Sequence, residues 1–75
     1  MNNWISNEVE TPFAGKLVWV KWHSVLNPNR VMVWIGMREV YNDEILWEAV
    51  NPKKFETNCL VDKQVIEWMP IEIPE

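Results

Sequence analysis

The sequence predicts an all-β protein, a small antiparallel meander that is curled or barrel-like. Residues 17–24 and 30–37 are rich in Val, Ile and Trp and are separated by Asn27, Pro28 and Asn29, a pattern typical of a β-hairpin. Tryptophan also stands near both ends, at Trp4 and Trp68. Because a packed indole buries about 150 to 250 Å² and frayed ends give little cover, we expect both ends to fold back onto one core.

Size and composition predict a single small β domain over residues 1–75. A chain this short buries only about 60% of the surface that its unfolded form exposes, and its six tryptophans can supply the core that other small domains obtain from disulfides or metals. Cys59 is the only cysteine, so an internal disulfide is excluded and a reducing cytoplasm is expected. The sequence has neither a signal-like leader nor a membrane-length apolar stretch, which predicts a soluble protein without a membrane partner.

The side-chain alternation of the hairpin predicts its register. Every second residue is apolar from Val18 to Trp22 and again from Val31 to Ile35. Pairing Trp22 with Val31 places both sets on one side and leaves a four-residue loop at 25–28. The opposite side then carries aromatic and basic side chains together: Trp19, Lys21, His23, Arg30, Trp34 and Arg38.

The rest of the chain predicts further short strands. Residues 44–50 alternate less cleanly, and a short helix capped by Asn42 or Asp43 competes with a strand there. The strand is favoured because turn residues flank the segment and because Trp and Val suit a pleated surface. Residues 64–68 are predicted as the last strand, joined to a short extended piece at 59–61.

Both ends of the chain resemble a known family. The residues concerned are Trp4-Ile5-Ser6, Pro12-Phe13-Ala14-Gly15 before the apolar run 17–20, and the closing Trp68-Met69-Pro70. They resemble domain of unknown function family 551, whose members are small proteins, many of them encoded in bacteriophages and prophages. Members usually carry His where Glu67 stands here, so no role of that His is transferred. The resemblance implies a phage protein in the cytoplasm of a host bacterium, and it supplies no mechanism.

The sequence lacks the signatures of an enzyme, a cofactor site or a metal site. Its one His and one Cys, His23 and Cys59, do not stand in a nucleophile, zinc or redox spacing. We interpret His23 as a strand residue and Cys59 as a small buried apolar group. Gly15 and Gly36 stand alone, which favours a turn and a strand bend over a phosphate-binding loop. We therefore expect a non-enzymatic protein with no catalytic residue, metal or cofactor.

The charge distribution predicts an interaction protein. Residues 16–38 contain bases and no acid, whereas residues 39–75 hold most of the acids of a chain whose net charge is −4. Such an acidic half suits a phage accessory protein that occupies the basic surface of a host enzyme, as an inhibitor or a nucleic-acid mimic. Its candidate partner contacts are Glu44, Glu48 and Glu56.

An alternative function is binding of single-stranded nucleic acid through the aromatic and basic hairpin face. Stacking a base on an aromatic ring contributes about 1 to 3 kcal/mol, while cations follow the phosphates. A structural explanation competes, in which Trp19 and Trp34 form a covered cross-strand pair. We rank nucleic acid second to a host protein because an acidic domain repels phosphate. The sequence leaves open the exposure of this face, the partner and the oligomeric state.

Overall fold

The computed structural model describes residues 3–72, which form six strands and one short 3-10 helix. The strands are β1 (Ile5–Ser6), β2 (Val18–His23), β3 (Val31–Tyr41), β4 (Glu44–Val50), β5 (Thr57–Val61) and β6 (Val65–Pro70), with the 3-10 helix Asp62–Gln64 between β5 and β6. All pairings are antiparallel, in one sheet of order β1-β6-β2-β3-β4-β5. This confirms the predicted antiparallel all-β fold, as an open sheet rather than a closed barrel. Within residues 3–72, no helical segment has the length and hydrophobicity of a membrane span.

The order of the strands requires the sheet to curl. β5 and β6 are consecutive in the chain, yet β4, β3 and β2 lie between them in the sheet. Four strand spacings amount to about 19 Å across a flat sheet, whereas a 3-10 helix of three residues advances only about 6 Å. The curl brings strands near the two opposite edges of the sheet close together around a single core. The buried core residues are Val18, Val20, Trp22, Trp34, Trp47, Ala49, Leu60, Val65 and Trp68.

The predicted closure of both ends onto the core is confirmed for Trp68 and wrong for Trp4, since Ile5 rather than Trp4 packs against the core from the N-terminal side. β1 pairs with β6, so that Ile5 lies opposite Trp68. Trp68 is buried and donates its indole N–H to the carbonyl oxygen of Glu10 over 2.8 Å. Trp4 is half-buried, with the Lys21 ammonium 4.4 Å from the centre of its ring. Residues 1–2 and 73–75 lie outside the described part of the chain.

The predicted register of the β2–β3 hairpin is wrong by one residue. Trp22 lies opposite Met32 rather than Val31, and residues 24–30 form the connection in place of a four-residue loop. A slip of one residue exchanges the two faces of a strand. Trp34 therefore enters the core, where its ring meets that of Trp22 edge to face at a centroid distance of 4.9 Å. The side chains that turn away from the core instead are Val31, Val33 and Ile35.

Gly36 explains why the observed register is the one that packs. It lies opposite Val18 on one neighbouring strand and Ala49 on the other. A Cβ atom at this position would lie 2.5 Å from the carbonyl oxygen of Glu48 and 3.2 Å from Cγ2 of Val20. Only glycine permits three strands to approach this closely.

The β3–β4 connection decides between strand and helix at residues 44–50. Tyr41 lies opposite Glu44, which leaves Asn42 and Asp43 as a two-residue turn. Their φ angles are 49° and 66°, and positive φ at both central residues is typical of the type I′ turns that match the twist of a hairpin. The predicted strand is confirmed, and the helical alternative is wrong.

Candidate interaction surfaces

The structure divides the predicted aromatic and basic face between two sides of the sheet. Trp34 is buried in the core, and Arg38 lies on the same side, opposite the buried Trp47. Arg30 is exposed in the connection between β2 and β3. The prediction of one continuous face is therefore wrong, because it depended on the incorrect register. The members that share the side away from the core, here called the outer face, are Trp19, Lys21 and His23.

The two basic side chains on the outer face of β2 have partners within the protein. Lys21 forms an ion pair with Glu67, with 2.9 Å between Nζ and Oε1, and also lies over the ring of Trp4. The Nδ1 atom of His23 lies 3.1 Å from the carbonyl oxygen of Ser24, which suits an N–H donor at that nitrogen. Because Lys21 and His23 already have these partners, they are less available to bind the phosphate groups of a nucleic acid.

An apolar band crosses the outer face. Met69, Trp19, Ile35 and Val50 are direct cross-strand neighbours on β6, β2, β3 and β4, and a row over four strands spans about 14 Å. Val33 extends this apolar band along β3 and is 46% exposed, while Val50 is 37% exposed. The solvent-facing side of an antiparallel sheet is usually polar. An apolar row here is therefore a candidate contact surface.

An acidic end adjoins the apolar band on the same face. It consists of Glu39, Glu44 and Glu48, with Tyr41 directly opposite Glu44. A hydrogen bond with Glu39, and the charge of that residue, raise the pKa of Glu48 above its ordinary value. The pKa of Tyr41 is raised by the same neighbour, first through a hydrogen bond and then through its charge. The carboxylates of the acidic end therefore repel one another in the free protein.

The three carboxylates predicted as partner contacts do not form one group. Glu44 and Glu48 share the outer face of β4. Glu56 is exposed in the loop before β5, beyond the opposite end of β4 from Glu44. Sequence reasoning missed Glu39, which comes next to Glu48 only through the β3–β4 ladder. A two-residue turn at Asn42-Asp43 would have fixed this register, which places Glu39 opposite Leu46 and therefore diagonal to Glu48.

A cleft opens on the core side of the sheet beside β5. Its volume is about 640 Å³. Its lining includes the rings of Trp22 and Trp34, Met32 beside them, Leu26 of the preceding connection, and Asn58 and Cys59 of β5. The indole N–H of Trp22 is buried and has no hydrogen-bond partner within residues 3–72. An unpaired buried donor costs about 1 to 3 kcal/mol, so this indole destabilises the core next to the cleft.

Cys59 is exposed, which makes its predicted burial wrong. It lies on the outer face of β5 opposite Glu48, at the edge of the sheet where no further strand covers it. Across the described residues, no three His, Cys, Asp or Glu side chains are grouped so as to hold a metal ion.

In comparisons with known proteins, no family model, curated protein or solved structure matches the chain. The resemblance of its two ends to domain of unknown function family 551 therefore stays a prediction, and the surfaces themselves carry the functional argument.

Proposed function

We propose that this chain is a non-enzymatic interaction protein that binds another protein through its outer face. The observation that carries the proposal is the position of the apolar band directly beside the acidic end on one side of the sheet. The partner surface that fits this arrangement has an apolar centre and basic residues at one side.

The apolar band supports the contact at the centre of such an interface. Interface cores are rich in aromatic residues and Met and poor in charge. Trp19 and Met69 provide these side chains and lie opposite each other. A partner that covers them removes apolar surface from water at about 25 cal/mol per Å². A contact of standard size covers about 800 Å² on each partner, so the band would form only the apolar centre of such a contact and the polar residues around it the rim.

The acidic end supports a basic partner. The proximity of Glu39 to Glu48 is unfavourable in the free protein, as the raised pKa of Glu48 indicates. An Arg or Lys of the partner placed between the two carboxylates turns this repulsion into attraction. The net charge of −4 also favours encounter with a basic surface over encounter with nucleic acid.

The setting of this interaction is proposed from the sequence ends. From the resemblance to the phage-associated family, we propose that the protein acts in the cytoplasm of an infected bacterium and that its partner is a host protein. An acidic inhibitor that occupies a basic enzyme surface is the form of this function that the acidic end supports best.

The experiment is affinity capture from bacterial lysate with and without nuclease treatment, followed by measurement of the dissociation constant for the captured protein. We expect Val33→Asp, which places a charge in the apolar band at an exposed position, to weaken binding about tenfold or more. We expect Glu48→Gln to weaken binding several-fold and to reduce the salt dependence of the complex.

Glu56→Gln is the matched control, because it removes the same charge away from the outer face. Equal affinities for Glu48→Gln and Glu56→Gln, together with no effect of Val33→Asp, would show that the outer face is not the binding surface. Loss of capture on nuclease treatment would instead indicate a nucleic-acid partner.

A further inference from the structure

We propose a second binding site, separate from the outer-face function: the free edge of β5 and the adjoining cleft bind an extended peptide segment of a partner protein. The segment adds to the sheet as a further strand, and one of its apolar side chains enters the cleft against Trp22 and Trp34.

The backbone N–H and C=O groups of β5 that point away from β4 lie along a free edge of the sheet. The Val61 N–H donates to Oε1 of Gln64 over 3.1 Å rather than to β4. In an antiparallel ladder, hydrogen-bonded and non-hydrogen-bonded pairs alternate, so Cys59 and Thr57 also direct their N–H and C=O groups away from β4. β5 is the last strand of the sheet. Within residues 3–72 no turn or loop contact supplies a backbone partner for these groups of Thr57 and Cys59.

The sequence of β5 does not protect this edge. Edge strands are commonly shielded by Lys, Pro, a bulge or very short length. β5 is five residues long, Thr57–Val61, and contains no charge and no proline. The opposite edge strand, Ile5–Ser6, is only two residues long. β5 is therefore the edge that can accept a strand.

The charges that flank β5 argue for a foreign segment over a second copy of this chain. Symmetric antiparallel pairing of two copies about Cys59 would bring Glu56, just before β5 in one copy, near Asp62, just after β5 in the other. Like charges brought together at both ends of the paired strands repel each other. A segment with basic residues at its ends and uncharged residues between them is complementary instead.

The cleft supplies side-chain recognition next to this edge. Asn58 and Cys59 line it, so a strand paired with β5 runs along its rim. Side chains of an added strand alternate between the two faces of the sheet, and those on the core side point toward Trp22 and Trp34. Leu26 at the margin of the cleft is 96% exposed and adds apolar surface there. Main-chain pairing combined with such a pocket is a known mode of peptide recognition.

The test begins with selection of binders from a displayed library of short random peptides against the parent protein. We expect the selected peptides to carry an apolar residue between basic ends and to slow amide hydrogen exchange at Thr57 and Cys59. Cys59→Pro removes one outward N–H without removing a bond to β4, and should weaken binding about tenfold or more. Cys59→Ala keeps that N–H and is the matched control, with affinity within about twofold of the parent.

A second measurement does not depend on the folding of a variant. Methylation of alternate backbone nitrogens in a selected peptide should abolish binding to the parent protein in one phase of the alternation and spare it in the other. The proposal is wrong if selection yields no binder, if exchange at Thr57 and Cys59 is unchanged, or if both methylated peptides bind equally. Val33→Asp, on the outer face, should leave peptide binding unchanged, so failure of this site and failure of the outer-face function are seen separately.

Discussion

At the scale of one residue, Glu48 is repelled by its neighbour Glu39 and is also a proposed contact for the partner. The hydrogen bond and the charge of Glu39 raise its pKa in the folded protein, so the folded state holds this proton more tightly than the unfolded chain. Stability therefore falls as pH rises from the ordinary pKa of Glu through the raised folded value, and the penalty persists above it. We expect Glu48→Gln to raise the melting temperature at neutral pH and to lose this advantage below the ordinary pKa, as measured by thermal unfolding across pH.

The control for this effect is Glu56→Gln, which removes the same charge from the loop before β5. A general benefit of lower net charge would give both variants the same pH profile and would contradict a specific Glu39–Glu48 repulsion. A variant that gains stability while losing partner affinity is the outcome that the proposed function requires.

The β3–β4 turn provides the test at the scale of the element. Asp43 has a φ of 66°, a region that glycine adopts without steric cost and that β-branched residues rarely enter. We expect Asp43→Gly to stabilise the protein by about 0.5 kcal/mol and Asp43→Val to destabilise it by about 1 to 2 kcal/mol. Chemical denaturation measures both, and because both variants remove the same charge, electrostatic effects cancel in the comparison. Equal stability of the two would show that this turn does not constrain the hairpin.

The existence of β2, β3 and β4 could be predicted from the sequence because alternation is a local property. The pairing of β2 with β3 could not, because both sides of β3 are apolar. One side carries Val33 and Ile35, and the other carries Trp34 and Gly36. The choice between them depends on Gly36 fitting against β4 and on Trp34 meeting Trp22, contacts that a two-strand argument does not contain.

The candidate surfaces could likewise be predicted only where they depend on local alternation within one strand. Glu44 and Glu48 share a face by the two-residue period of a strand, so that grouping was accessible from the sequence. The apolar band follows only from the corrected register of β2 and β3. The cleft requires the curl that brings β5 near Trp22, which is a long-range property of the whole sheet.

At the scale of the whole molecule, Asp62 joins the two sides of the curled sheet. One oxygen of its carboxylate accepts hydrogen bonds from Nε1 of Trp47 on β4, over 2.9 Å, and from Nδ2 of Asn7 just after β1, over 3.0 Å. Gln64 in the same 3-10 helix donates from Nε2 to the carbonyl oxygen of His23 at the end of β2. Side-chain bonds from one three-residue segment thus reach three separate parts of an open sheet.

We therefore expect Asp62→Ala to destabilise the protein by about 2 to 4 kcal/mol, because two donors lose a charged acceptor. The Trp47 side chain is fully buried, so its N–H cannot recover a partner from water unless the sheet opens. The free energy of unfolding from chemical denaturation gives the magnitude, and hydrogen exchange should show β1 and β5 losing protection before the central strands. Lys63→Ala, in the same helix and exposed, is the control and should change stability by less than about 0.5 kcal/mol. Equal stability of the two variants would mean that apolar packing alone keeps the sheet curled.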